Sequence, residues 1–140
     1  QVLVRKNIEF FEALPDDTQT TIQGRPRPVV LGQVGIRCCF CARLHPSARA
    51  PGATCYPSKR SGIYQAAQNI ANTHWAEQCT LVPNAFRNAL NAARHQKSTA
   101  RASKHMWSNR ATALGVFEDE DGLRFADSVN ALGFPMDDIA

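Results

Sequence analysis

Two pairs of residues in the middle of the chain carry side chains that bind metal ions. Cys38 and Cys41 have two residues between them, and His74 and Cys79 have four. Thiolate sulfur and imidazole nitrogen are donors that zinc prefers, and a structural zinc site takes four of them in a tetrahedron. A short cysteine knuckle followed by a second ligand pair is the usual order of such donors along a sequence. The sequence therefore predicts one structural zinc ion bound by Cys38, Cys41, His74 and Cys79.

The ligand assignment leaves some alternatives open. Cys39 is adjacent to the first ligand, and Cys39 with Cys41 would form a poorer knuckle than the pair chosen above. His45 is the substitute if His74 or Cys79 is not a ligand. The cysteines could also be small buried core residues and the histidine a core residue with satisfied hydrogen bonds. The odd number of five cysteines, three of them within four positions, indicates a reducing compartment rather than a disulfide scaffold.

Hydrophobic patterns place the two pairs on a strand and a helix. Residues 28–38 are rich in Val, Leu and Ile and predict a strand, and residues 54–56 predict a short return strand. A helix is expected to begin near Ser58 or Ser61, because either side chain can cap the free amide groups. Its apolar residues at 63, 67 and 70 share a face with His74, which predicts a buried histidine.

The remaining segments predict further helices and a second hairpin. Helices are expected over 84–96 and 103–114, with a polar linker at 97–102, and a hairpin with an Asp-Gly turn over 116–125. Residues 3–14 fit a strand or a short helix equally well. We predict an α+β fold in which a zinc-stabilised hairpin and helix are joined by additional helices and a C-terminal hairpin.

The predicted organisation has three parts that form one compact domain. Residues 1–33 are an N-terminal extension that packs on the core. Residues 34–83 are the zinc-binding unit, and residues 84–140 are a helical extension that ends in the hairpin. We detect no internal repeat and no low-complexity tract.

Residues 34–79 resemble the ββα zinc fingers, and especially the BED-type and CCHC-type fingers. In those fingers a hairpin that bears C-x-x-C packs on a helix that carries a closely spaced His-His or His-Cys pair. The baculoviral-inhibitor-repeat zinc fold is a second, looser likeness. Here 32 residues separate Cys41 from His74, against about 12 to 15 in such fingers, so the loop at 44–54 is interpreted as an insertion. Residues 32–42 and 62–69 are also similar to segments of an uncharacterised group of algal proteins.

Charge is strongly segregated along the chain. The net charge is +4, yet residues 18–117 hold thirteen of the sixteen bases and only one acid, Glu77, whereas the two ends hold the other eleven acids. A central field of this sign would attract a polyanion, and nucleic acid is the partner that we favour. The alternatives are an acidic protein partner, or neutralisation of the basic segment by the acidic ends of the same chain.

The most specific function that follows is a non-catalytic zinc-binding module that binds nucleic acid, with DNA favoured over RNA. The expected contacts lie at the start of the first predicted helix and along the basic third segment: Lys59, Arg60, Tyr64, Gln65, Arg94, Lys97, Arg101 and Lys104. His105 or Trp107 could stack on a base, although helical spacing favours a core position for Trp107. The alternative function is a protein-interaction or assembly subunit of a larger complex that contains a structural zinc.

An enzyme is not expected. A catalytic zinc keeps an open coordination position, whereas four candidate ligands are present here. Glu77 as a base, or Cys39 or Cys55 as a nucleophile, would be the enzyme alternatives, and no motif supports them. No apolar run approaches the roughly 20 residues that span a bilayer, and the first residues do not form a secretory signal. We therefore expect an intracellular, nuclear protein without a membrane partner.

Overall fold

The computed structural model describes residues 2–19, 28–93 and 100–127. These residues form an antiparallel five-stranded sheet with helices packed against it, which confirms the predicted α+β class and the C-terminal hairpin. The α-helices are α1 (Val2–Asn7), α2 (Pro15–Thr18), α3 (Ile63–Asn69), α4 (Asn84–Ala93) and α5 (Ala100–Ala113). The strands are β1 (Ile8–Glu12), β2 (Val34–Cys38), β3 (Thr54–Cys55), β4 (Val116–Asp119) and β5 (Gly122–Phe125). Two 3₁₀ turns cover Pro46–Ala48 and Arg60–Gly62, and a π-helix, Ile70–Gln78, continues α3.

Strand β2 lies at the centre of the sheet. Strand β1 pairs with β2 along its whole length, with Ile8 opposite Cys38. The other edge of β2 is shared by β3, which pairs at Ile36, and by β5, which pairs at Val34. Strand β4 is outermost and pairs only with β5 among the described strands. The sheet thus takes strands from each of the three segments proposed from the sequence, and that division into segments stays a prediction.

The expectation of one strand over 28–38 is wrong for its first half, because the strand begins only at Val34. Gly32 adopts φ 82° in a turn and donates its N–H to the carbonyl of Ala13, so the preceding residues leave the sheet direction. Gly35 is a position of close backbone approach. A Cβ added there would lie 2.6 Å from the carbonyl oxygen of Cys55 and 2.8 Å from the Tyr56 ring. A glycine is therefore required at position 35, where β3 and the residue after it lie close to the backbone of β2.

Other element boundaries also differ from those expected. Residues 3–14 hold both predicted alternatives in succession, since α1 leads directly into β1. The predicted linker at 97–102 is wrong from Ala100 onward, because α5 starts there, and 94–99 lie outside the described residues. Helix α4 ends at Ala93 within the described residues, so the expected extension to 96 falls on that gap. Helix α5 ends as expected before Gly115, which adopts φ 79° as a left-handed C-cap.

Two tryptophans anchor the core between the sheet and the helices. Trp75, in the π-helix, and Trp107, on α5, are both fully buried. Phe86 packs edge-on against Trp75 at 5.0 Å between ring centroids, and Phe10 packs against Trp107 at 6.2 Å. The burial of Trp107 confirms its core position and contradicts the alternative that it stacks on a base. Among the described residues, none of the helices has the length and apolar character that crossing a membrane requires.

Candidate metal centre

The structure brings Cys38, Cys41, His74 and Cys79 into one buried cluster. Their ligand atoms all lie within 4.8 Å of one another. The Cys41 Sγ is 3.5 Å from His74 Nε2 and 3.4 Å from Cys79 Sγ. A tetrahedral zinc with bonds of about 2.3 Å to sulfur sets neighbouring sulfurs about 3.8 Å apart. The donor types and their separations therefore fit one metal ion, and the three thiols and one imidazole fill a tetrahedral shell.

The alternation of β2 selects Cys38 rather than Cys39. Side chains two residues apart share one face of a strand, and Val34, Ile36 and Cys38 are all fully buried. A tight turn follows, in which the Cys41 N–H donates to the carbonyl of Cys38 at 3.3 Å. Cys39 is half-buried and lies outside the cluster, with its Sγ 3.7 Å from Asn7 Oδ1. The period of the strand is a sequence signal that could have settled this choice.

The π-helix brings His74 and Cys79 to the same side. In an α-helix, at 100° per residue, side chains five positions apart differ by about 140°. A π-helix closes i→i+5 hydrogen bonds and has about 4.4 residues per turn, which reduces that difference to about 50°. The last of these bonds joins the two ligands directly, since the Cys79 N–H donates to the His74 carbonyl at 2.7 Å. The sequence predicted the buried histidine correctly but did not indicate the π geometry.

The loop between β2 and β3 fixes the orientation of the His74 ring. His74 Nδ1 lies 2.9 Å from the backbone carbonyl oxygen of Pro51, so Nδ1 carries the proton and Nε2 faces the cysteines. Gly52, at φ 76°, lies against the Cβ of His74, because a Cβ added at Gly52 would be 3.4 Å from that atom. The segment interpreted as an insertion thus positions a ligand. His45, in the same loop, is exposed and lies 3.6 Å from Asp16 Oδ2, outside the cluster.

Two residues that the sequence reasoning missed hold the cluster from outside. The indole N–H of Trp75 donates to Cys38 Sγ at 3.1 Å. Arg87, on α4, donates to the carbonyl of Trp75 at 3.0 Å and to the carbonyl of Cys79 at 2.8 Å. These bonds satisfy carbonyl groups at the end of the π-helix that have no helical partner. Trp75 follows the predicted ligand His74 directly in the sequence, which was a reason to expect its side chain near the metal cluster. Nothing in the sequence indicated a role for Arg87.

Burial favours the uncharged forms of three of the cluster residues, Cys38, Cys41 and His74. It raises the pKa of Cys38, and together with hydrogen bonding and the charge of Cys79 and Cys38 it raises the pKa of Cys41 to about 12. Burial also lowers the pKa of His74, against an opposing effect of the Pro51 carbonyl. At neutral pH the imidazole is therefore neutral, as a metal ligand must be, and a metal ion must displace thiol protons when it binds. Burial raises the pKa of Cys39 to about 11, which makes it a poor nucleophile.

Only some of the residues predicted to contact nucleic acid line a surface groove in the structure. Lys59 and Gln65 line one surface groove, Arg101 and Lys104 line a second, and the grooves share Ser61. Tyr64 is half-buried and packs against the core. Arg94 and Lys97 lie outside the described residues.

Part of the central positive charge is paired with acids from the chain ends. Arg60, one of the predicted contacts, lies 3.9 Å from Glu118 through its Nε, and both side chains are 40% exposed. Arg49 lies 3.6 Å from the buried carboxylate of Asp17. Arg37 lies 2.6 Å from Glu9. Internal neutralisation, one of the alternatives drawn from the sequence, therefore accounts for some of the arginines but not for Lys59, Arg101 or Lys104, which have no ion pair within the described part of the chain.

Comparison of the chain with protein-family models, with curated proteins and with solved structures finds no match in any of the three. The geometry of the cluster and of the surface beside it is therefore the basis for a functional assignment.

Proposed function

We propose that the chain is a non-catalytic module that holds one structural zinc ion at Cys38, Cys41, His74 and Cys79 and binds nucleic acid through the neighbouring basic surface. The observation that supports the metal is the burial of three thiols and one imidazole whose ligand atoms all lie within 4.8 Å of one another. Three thiols and one imidazole favour zinc over the hard cations, which take oxygen ligands. A shell filled by protein donors has no position for a reacting water, which supports a structural role rather than catalysis.

This assignment agrees with the resemblance to BED-type and CCHC-type fingers in its ligand set, and it departs from them in what holds the ligands. The second ligand pair is supplied by a π-helix, and the loop between the strands positions His74. We propose membership of a finger-like group on the ligand set alone. A nuclear location is part of the same proposal, because DNA is the partner that we favour.

Zinc analysis of the purified protein tests the first half of the proposal. We expect one equivalent of zinc per chain in protein purified without chelator, and loss of zinc in Cys79→Ala. Cys55→Ala is the matched control, because Cys55 is a half-buried thiol outside the cluster, and this variant should keep its zinc. A folded parent protein without zinc, or a full equivalent in Cys79→Ala, would overturn the assignment.

The support for nucleic acid is the basic surface formed by Lys59, Arg101 and Lys104, which have no ion pair with any described residue, and by the polar side chains beside them. Binding that rests on such contacts releases counterions, so log Kd should change with log salt with a slope of about 0.9 per duplex phosphate contacted. We expect a slope of magnitude about 3 to 5 in anisotropy titrations of a fluorescent 20-base-pair duplex of arbitrary sequence. Absence of binding even at about 50 mM salt would reject this half while leaving the zinc assignment intact.

A protein-interaction module is the second candidate, and one surface favours it. Strand β4 lies at the edge of the sheet, Phe117 on that strand is 43% exposed, and Leu114, two residues before the strand begins, is 49% exposed. An exposed edge strand with apolar side chains is a common site of strand addition by a partner. A zinc-loaded protein that binds no nucleic acid at low salt would favour this function.

A further inference from the structure

The outward face of α5 forms one wall of a groove. Ser103, Trp107 and Ala111 recur at helical spacing and are buried on the inner face of this helix. The four residues of the other face that line the groove are spaced by three and four positions: Arg101, Lys104, His105 and Ser108. Ser61, in the 3₁₀ turn that precedes α3, closes the opposite side. The groove is open to solvent and has a volume of about 370 Å³.

The charge at this groove is not cancelled locally. Arg101 and Lys104 are exposed and have no ion pair among the described residues, unlike Arg37, Arg49 and Arg124. Glu118, an acid on the neighbouring hairpin, is engaged elsewhere, since its Oε1 accepts the backbone N–H of Arg60 at 2.8 Å. The Ser61 hydroxyl adds a hydrogen-bond donor beside the two cations, whereas the Ser108 hydroxyl donates to the carbonyl of Arg60 at 3.5 Å. Cations and hydroxyls together are the donors that bind a phosphate group.

The groove also offers a surface for a flat ring. Arg101, Lys104 and His105 are three of the five residues that line it, and a nucleobase stacks readily on the alkyl stems and the imidazole ring of such side chains. A second groove of about 520 Å³ continues from Ser61 and presents the amide groups of Gln65 and Asn69, which are joined by a 3.0 Å hydrogen bond. Side-chain amides can pair with the edges of bases that are not already paired.

We propose that these two joined grooves bind successive nucleotides of a single strand, with one phosphate at Arg101 and Lys104 and its base against His105. This inference rests on the proposed nucleic-acid function and specifies its ligand. A duplex would offer only phosphates to the two cations, because its bases are stacked and paired. Single-stranded nucleic acid should therefore bind more tightly than duplex of the same length.

The test uses the zinc-loaded full chain and fluorescein-labelled decathymidylate, with a ten-base-pair duplex for comparison. We expect Arg101→Gln with Lys104→Gln to lower the magnitude of the salt slope by about 0.7, which is one single-strand phosphate contact. We expect His105→Ala to weaken decathymidylate binding at least fivefold with an unchanged salt slope. The matched controls are Arg43→Gln, an exposed arginine in the loop after β2, and His45→Ala, an exposed histidine in the same loop, and both should bind as the parent does.

The outcomes separate the two proposals. If the parent protein binds neither probe at low salt, the nucleic-acid function itself is wrong. If the parent binds but the Arg101/Lys104 variant keeps its slope, or His105→Ala keeps its affinity, the groove is not the nucleotide site. Equal affinity for single strand and duplex would also overturn the single-strand inference. Zinc content and a thermal melt of each variant show whether a loss of binding is a loss of folding.

Discussion

Replacing Trp75 by phenylalanine isolates one contact to the metal cluster. The chain has two tryptophans, both fully buried, and their indole N–H groups differ. The Trp75 N–H donates to Cys38 Sγ at 3.1 Å, whereas the Trp107 N–H has no hydrogen-bond partner within the described residues. Phenylalanine keeps an aromatic ring at either position and removes the N–H. Trp107→Phe is therefore a matched control for the loss of ring volume.

The expected loss of metal affinity follows from the charge of the hydrogen-bond acceptor, the sulfur of Cys38. A hydrogen bond to a charged group contributes about 1.5–3 kcal/mol, and Cys38 must be a thiolate when it binds a metal. Loss of that bond should weaken metal binding by roughly 10- to 100-fold, the usual effect of removing a partner that orients a ligand. Both variants should lose comparable packing energy in the core, about 1–3 kcal/mol, so the difference between them reports on the N–H···S bond.

The assay is competition for zinc against a chromophoric chelator, combined with titration of the chelator-treated protein with Co²⁺. Trp75→Phe should show weaker zinc binding and a shifted sulfur-to-cobalt charge-transfer band. Trp107→Phe should show the metal affinity and the spectrum of the parent, whatever its melting temperature. Equal metal affinities in the two variants would refute the reasoning, because the hydrogen bond would then contribute nothing to the site.

Three further outcomes are expected. Metal-free protein should lose stability in chemical denaturation as the pH rises from about 9 to about 12, because the pKa of Cys41 is raised from 9.0 to about 12 and the buried thiol stabilises the fold only while it is protonated. Zinc-loaded protein should instead release metal as the pH falls. A pH-independent stability in both forms would contradict this prediction. Glu118→Gln should strengthen DNA binding about two- to fivefold at low salt by freeing Arg60, as measured by anisotropy, and an unchanged affinity would count against a role for Arg60. Gly35→Ala should lower the free energy of unfolding by about 1–3 kcal/mol, because its Cβ would lie 2.6 Å from the carbonyl oxygen of Cys55 in β3. Gly62→Ala should melt close to the parent, because the atom nearest to its added Cβ would be 3.7 Å away.

Local patterns in the sequence were sufficient for much of the fold and for the ligand set. Helical spacing placed His74 on the buried face, and the C-x-x-C spacing identified the knuckle that the turn after β2 forms. The hairpin of β4 and β5 and the C-cap at Gly115 also follow from nearest-neighbour chemistry. In each case the signal lies within a few residues of the feature, where backbone preferences act directly.

The features that the sequence did not predict depend on contacts between distant segments. The π geometry of 70–78 is favoured only when His74, Cys79 and Trp75 must all face the same cluster, and no residue type in the sequence predicts it. The pairing of Arg60 with Glu118 joins residues 58 positions apart, so a count of charges along the chain could not show which bases stay available. The early end of the strand before Val34 depends on the turn at Gly32 that meets Ala13.

The distance along the chain between the two ligand pairs has a consequence for the order of folding. The segment from Cys38 to Cys79, both cysteines included, is 42 residues long and contains β3, α3 and the π-helix. A cross-link that closes a loop of this length restricts the unfolded chain by about 4 kcal/mol in the chain-entropy model. The knuckle of Cys38 and Cys41 closes at little entropic cost, so an unfolded chain would capture metal there first. The second pair reaches the cluster only in the π geometry, so that pair and the π-helix would form together, and this later step would join the hairpin and the helix into one unit.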